Sequence, residues 1–375
     1  MRRFITRSVA LAAVAALSLT ACSTRDGAEE PAAEDTGAAA ETEVAAGFAA
    51  DSLIGVALPS KTSENWVLAG DLFTNGLADA GFEADVQYAG ASAPVADQQS
   101  QIQAMITKGA KVIIIGAADG GQLSTQVEAA REAGAIVIAY DRLILNTEAV
   151  DYYVAYDNFN VGELQGQALL DGMAAKGEGP YTIELFSGSS DDANSAVFFD
   201  GAMSVLQPAI DAGEVVVGSG QVEIMQTATA GWKAENAQSR MDSLITSTYS
   251  GDVELDGVLS PNDTLARAII TSVQGAGKTL PIVTGQDSEV ESVKSIMAGE
   301  QYSTINKDTR TLVAAAIQMA VDLSKGVEPQ VNDTESYDNG VKVVPAYLLP
   351  PQIVTKENAA TSYENDPTLF PLTQE

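Results

Sequence analysis

The chain has 375 residues, of which 51 are acidic and 20 basic, giving a formal net charge of −31 at pH 7. So negative a surface is a poor partner for nucleic acid or for an anionic membrane face. With no histidine and a single cysteine, a Ser-His-Asp triad, a His-ligated zinc site and an internal disulfide are all excluded.

The first segment reads as an export signal. Arg2, Arg3 and Arg7 precede an apolar run from Val9 to Leu19 that is too short and too rich in alanine to span a membrane permanently. Leu19-Thr20-Ala21-Cys22 closes that run in the pattern of a bacterial lipoprotein signal. Residues 1–21 are therefore expected to be removed and Cys22 to become the acylated N-terminus, leaving a net charge of about −34. From residue 22 to 49 the chain is alanine, glutamate, aspartate, threonine and glycine with almost no large apolar residue. Such a stretch cannot bury enough surface to offset its own ordering, and reads as an acidic flexible tether. The remaining residues, roughly 325, exceed what one core usually holds and suggest two domains.

Strands and helices then alternate. Strands are predicted at Leu53 to Leu58, Ala84 to Tyr88, Val112 to Ile115 and Ile136 to Tyr140, with helices at Trp66 to Ala80, Ala96 to Lys108 and Leu123 to Ala133 between them. After Asp157-Asn158 the pattern begins afresh. Helices are predicted at Val161 to Ala175, Ala196 to Leu206, Ala234 to Ile245, Leu265 to Gln274 and Val290 to Ala298. The strands between them are Tyr181 to Leu185, Glu214 to Val217, Gly257 to Leu259, Ile282 to Gly285 and Tyr302 to Ile305. A long helix, Thr309 to Ser324, precedes strand-like runs at Val341 to Val344 and Ala346 to Val354. Alternation of this kind means α/β lobes in which parallel sheets are covered by helices on both faces, and two Rossmann-like lobes fit it better than one large sheet.

Polar residues collect beyond the carboxyl ends of the strands, where open α/β sheets place their ligands. Lys61, Asn65 and Trp66 follow the first strand and Asp141-Arg142 the fourth; Asp191, Asp192 and Asn194 follow Leu185, Asn262 and Asp263 follow Leu259, Asp287 follows Gly285, and Lys307 follows Ile305. The adjacent Asp141 and Arg142 offer acceptors beside a fixed fork of donors, which suits a polyhydroxylated molecule. Read alone they fit a surface ion pair in a loop equally well. Trp66 and Trp232, the only tryptophans, would each read as core packing in isolation. Beside this ring of hydrogen-bonding groups they supply aromatic faces for the C–H side of a pyranose.

Seven motifs carry a resemblance. Leu58 to Ser63, Ala139 to Ile144, Tyr156 to Gly162, Ile183 to Ser189, Leu259 to Asp263, Gly285 to Asp287 and Gly340 to Pro345 resemble, in order and spacing, the periplasmic xylose-binding and multiple-monosaccharide-binding proteins of ABC importers. The similarity runs from about Leu53 to Asn358. It implies a type I periplasmic binding fold whose two lobes are joined by a three-stranded hinge, open without sugar and closed around it. The implied division is 50–158 with 307–346 for one lobe and 159–306 with 347–375 for the other. By motif, Asp141, Arg142, Asn194, Asn262, Asp287 and Lys307 match sugar hydrogen-bonding positions, and Trp66 with Trp232 the stacking pair; Lys61 and Asn65 join the expected ligand-binding residues by their place after the first strand. The sequence departs from the family at Asn65, where arginine is usual, and at Ala193, where an asparagine often precedes Asn194.

Other signals are set aside. Gly277-Lys278-Thr279 ends like a phosphate-binding loop, but Ser272 stands where that motif needs glycine. Asp333, Glu335 and Asp338 lack the order of an EF-hand and read as an acidic surface loop. A glycoside hydrolase could draw paired carboxylates from Asp141 and Asp287, but Asp141 beside a cation is expected to stay ionised. A transcription regulator on this scaffold needs a helix-turn-helix where the signal and tether lie. A nucleoside or autoinducer receptor is the nearer rival. The expectation is a monomeric, lipid-anchored, non-enzymatic receptor on the outer face of the membrane, without metal or cofactor, that catches an aldose such as xylose, glucose, galactose or arabinose and hands it to an ABC permease.

Overall fold

A computed structural model describes residues 47–374 apart from 62 and 252. The export signal, Cys22 and nearly all of the tether lie outside the described residues. The described chain begins with β1 (Leu53–Leu58), α1 (Glu64–Asp79), β2 (Glu83–Tyr88), α2 (Pro94–Thr107), β3 (Val112–Ile115), α3 (Ser124–Glu132), β4 (Ile136–Tyr140) and β5 (Tyr152–Tyr156). It continues with α4 (Asn158–Lys176), β6 (Tyr181–Leu185), α5 (Asn194–Asp211), β7 (Val215–Val217), α6 (Ile224–Thr227), α7 (Ala234–Ser247), β8 (Gly257–Leu259), α8 (Asp263–Gly275), β9 (Ile282–Val283), α9 (Val290–Ala298) and β10 (Ser303–Asn306). It closes with α10 (Thr309–Ser324), β11 (Ala346–Leu349), β12 (Gln352–Thr355) and α11 (Ala359–Ser362).

Two parallel sheets organise these elements. One has six strands in the order β11-β5-β4-β3-β1-β2, the other four in the order β7-β6-β8-β9. Both are buried on two faces, as parallel sheets require. Ile102, Met105 and Val127 cover one face of the first sheet, and Phe73, Leu77, Leu312 and Ala316 the other. In the second lobe Leu169, Phe199 and Leu206 pack on one side, and Met241, Leu244, Leu265 and Ile269 on the other.

The chain leaves the first sheet between β5 and α4, returns between β10 and α10, and leaves again between β11 and β12. Two expectations are corrected here. Tyr347 to Leu349, which the implied division gives to the second lobe, pair with Val154 to Tyr156 inside the first sheet, so the chain crosses just after them, at Pro350-Pro351. Val341 to Val344 is not a strand: apart from one isolated bridge it runs as bends, with Val341 and Val343 exposed. The sequence reading also missed β5, and it had no means of seeing that β10 and β12 form an antiparallel pair beside the second sheet.

Helix α4 lies against α5 at backbone contact. A Cβ added at Gly162 would run into the Phe198 carbonyl and stand 2.7 Å from the Ala202 nitrogen, and one at Gly201 would meet the Phe159 carbonyl. Close packing here aims the start of α5 at the gap between the lobes.

Candidate functional site

The site is built largely from helix starts. Ser63 caps α1, its hydroxyl accepting from the Asn65 N–H at 3.3 Å, which sets Asn65 and Trp66 on the first turn facing the second lobe. The Asn262 side-chain oxygen caps α8 by accepting from the Leu265 N–H at 3.0 Å, so its amide nitrogen is what remains to donate. Together these ends enclose a cleft of about 600 Å³ between the lobes.

Nine of the ten predicted side chains line the cleft: Asn65, Trp66, Asp141, Arg142, Asn194, Trp232, Asn262, Asp287 and Lys307. Lys61 does not. It is exposed, and its ammonium stands 4.3 Å from the centre of the Tyr88 ring, outside the lining. Its neighbours Pro59, Ser60 and Ser63 do line the cleft, so the loop reaches it while the Lys61 side chain is directed to Tyr88, which a strand-end rule applied to sequence cannot foresee.

Asp141 occupies the left-handed region at φ 63°, which aspartate tolerates better than most residues. Its N–H donates to the Val154 carbonyl at 2.8 Å, while its own carbonyl accepts from the Tyr153 hydroxyl and the Asn194 amide, both at 2.8 Å. Asn194 belongs to the second lobe, so its contact joins the lobes at the site. The Asn65 amide makes a second such link by donating to the Asp287 carbonyl at 3.2 Å.

The charged groups are interleaved across the same boundary. The Arg142 Nε stands 3.0 Å from Asp192 Oδ2, and its NH1 donates to the Ala117 carbonyl at 3.1 Å. Asp192 Oδ2 also accepts from the Trp232 indole N–H at 3.2 Å, and Oδ1 accepts from the Asn194 N–H at 3.0 Å. Lys307 Nζ lies 3.2 Å from Asp287 Oδ1 and 5.4 Å from the centre of the Phe198 ring. Burial pushes the Asp141 carboxyl above the usual carboxylate range, although Lys307 and Arg142 pull the other way. Desolvation, not the neighbouring guanidinium, is therefore the larger influence on Asp141, contrary to the expectation from sequence. Burial also works against the Lys307 ammonium, yet Asp287 and Asp141 outweigh it and hold its pKa above the ordinary lysine value. Behind them the fully buried Asp263 is raised well above its normal range by burial, then by Glu289 and Asp287.

Trp66 packs edge-on to Tyr140, ring centres 6.0 Å apart, with the Arg142 guanidinium 5.6 Å from its ring centre. Trp232 has φ 54° and follows Gly231 at φ 65°, a left-handed turn that carries the indole over Gly188. A side chain at Gly188 would collide with that ring. Trp232→Ala is expected to weaken sugar binding by about 1–3 kcal/mol with both lobes folded, from the apolar area an aromatic ring covers. Titration beside thermal melting checks it; retained affinity with a collapsed melting temperature would make Trp232 a packing residue instead.

Several lining residues escaped the sequence reading. Asp192 was visible as a strand-end residue but not as the partner of Arg142, and Phe198 sits one helical turn after Asn194, a spacing that could have suggested it. Tyr140, Gln286 and Glu289 also face the cleft. The acidic loop at Asp333 and Asp338 turns its carboxylates on its own backbone, accepting from Glu335, Ser336 and Gly340 N–H groups.

Residues 54–328 match the family described as the periplasmic binding protein domain. The chain is 50% identical over 322 residues to the multiple sugar-binding periplasmic receptor ChvE of Rhizobium radiobacter, covering 84% of this chain and 90% of that one. It is 35% identical over 319 residues to the D-xylose-binding periplasmic protein of Escherichia coli strain K12, again covering 84% and 90%. An ABC transporter solute binding protein from Clostridium phytofermentans, crystallised with β-D-glucose, superposes with a TM-score of 0.81 at 40% identity, covering 86% of this chain and 99% of that one.

Proposed function

Because this chain belongs to the periplasmic binding protein domain family and has its type I fold, we propose that it is an extracytoplasmic receptor that closes on one aldose and delivers it to an ABC importer. The observation that carries this reading is the division of the site. Asp141, Arg142 and Trp66 come from one lobe and Asn194, Trp232, Asn262 and Asp287 from the other, with Lys307 on the crossing between them. A ligand held by both halves is fully bound only when the lobes are together, which couples capture to a shape the importer can read. The relatives named above are receptors for sugars, which supports binding rather than bond cleavage as the work of Asp141 and Asp287.

Calorimetric titration of the purified protein against D-xylose, D-glucose, D-galactose, L-arabinose and a set of nucleosides tests the reading. At least one aldose should give saturable heat and the nucleosides none; saturation by a nucleoside alone would transfer the protein to the rival class.

The lipid anchor is part of the same proposal and rests on Leu19-Thr20-Ala21-Cys22. Among the described residues no helix is long and apolar enough to cross a membrane, so attachment through an acylated Cys22 would be what keeps the receptor beside its importer. Cys22→Ala is expected to move the protein from the membrane fraction to the soluble fraction or to leave its signal uncleaved. Unchanged fractionation and processing would refute the anchor.

A further inference from the structure

We propose that the cleft selects uncharged aldoses and turns away the corresponding uronic acids, a refinement that rests on the monosaccharide reading above. Both largely buried cations of the cleft are already engaged. Arg142 is held by Asp192 at 3.0 Å and Lys307 by Asp287 at 3.2 Å, in each case by a carboxylate of the second lobe. Against them stands a third carboxylate. Asp141 makes no side-chain hydrogen bond or ion pair among the described residues, and it feels Lys307 and Arg142 only through space. The inner ring therefore holds three carboxylates to two cations.

Position 65 would be the natural place for a further cation, but it carries an amide that donates to the Asp287 carbonyl at 3.2 Å. The surroundings do not reverse the balance. Glu289, behind the ring, is neutralised by Arg267 at 2.6 Å. On the exposed rim Lys233 is outnumbered by Asp191 and Glu235, and the whole chain carries −31. A neutral sugar meets this ring as a set of acceptors and donors, since each hydroxyl can give to Asp141 and take from Arg142, Lys307 or the Asn262 amide. A uronate brings a fourth carboxylate into the same cleft. It would have to compete with Asp192 or Asp287 for a cation and would stand within reach of Asp141, where like charges repel strongly.

The test is titration of the purified full-length protein with D-glucose, D-xylose, D-galactose, D-glucuronate and D-galacturonate at one ionic strength, repeated with Asn65→Arg. The expected result is a neutral aldose bound at least tenfold more tightly than either uronate, with the gap narrowed in Asn65→Arg. A uronate bound within tenfold of the best neutral sugar, or bound alone, overturns the inference. A gap that Asn65→Arg leaves unchanged or widens also overturns it, because charge would then not be the reason for exclusion. If neither neutral sugars nor uronates bind, the monosaccharide reading fails and takes this one with it; if neutral sugars bind but selection is absent, only the selection falls.

Discussion

Asp287→Asn should lower affinity for the best sugar by roughly one to two orders of magnitude. A carboxylate in this position can accept from two neighbouring sugar hydroxyls, and charge-assisted bonds of that kind are worth about 1.5–3 kcal/mol each where water is excluded. Every 1.4 kcal/mol or so is tenfold in affinity. Asparagine keeps the shape but turns one acceptor into a donor, facing a hydroxyl already committed to donating. Stability without ligand should fall as well, because Asp287 Oδ1 is 3.2 Å from the ammonium of Lys307, whose side chain is only 11% exposed. Removing the charge leaves that cation with Asp141 and Asp192 acting only through space, and a loss of about 1–2 kcal/mol in the ligand-free protein is expected. Titration well below both melting temperatures separates the two effects. Equal affinities for variant and wild type would remove Asp287 from the site, and with it the motif-based assignment of the second lobe.

Gly162→Ala is the stability counterpart. Its Cβ would collide with the Phe198 carbonyl and come to 2.7 Å from the Ala202 nitrogen, and both are backbone atoms that cannot rotate aside. Helices α4 and α5 would have to separate. Overpacking of this kind costs about 3 kcal/mol, which for a lobe of this size lowers the melting temperature by about 6–12 °C. Sugar affinity should fall as well, because α5 carries Asn194 and Phe198 into the cleft. Gly275→Ala is the control: no heavy atom lies within 4 Å of a Cβ there, and alanine suits a helix better than glycine. Melting of both variants decides the matter, and equal melting temperatures for Gly162→Ala and wild type would show that the helix pair yields.

What the sequence determined by itself was the order of most elements, the two-lobed α/β class and nine of the polar, charged and tryptophan side chains that line the cleft. Apolar runs such as Val112–Ile115 and Ile136–Tyr140 announce buried parallel strands because both of their faces must leave water, and that requirement is local. Strand ends followed by capped helices place Trp66, Asp141, Asn262 and Asp287 at one edge of their sheets by topology alone. The ordered motifs also marked the family, and Gly162 closes one of them, although nothing in a row of letters says that its missing side chain admits another helix. Contacts between distant residues depended on the tertiary structure. The strand Tyr152–Tyr156 carries three tyrosines and no run of aliphatic residues, and it becomes a strand because β4 and β11 flank it. The pairing of Ser303–Asn306 with Gln352–Thr355 joins segments almost fifty residues apart in opposite directions. Lys61 was drawn into the predicted site by its neighbours in sequence, Pro59, Ser60 and Ser63 among them, while its own ammonium lies over Tyr88 instead. Asp192 was passed over because its meaning lies in Arg142, on the opposite lobe, with which it pairs only when the two lobes meet.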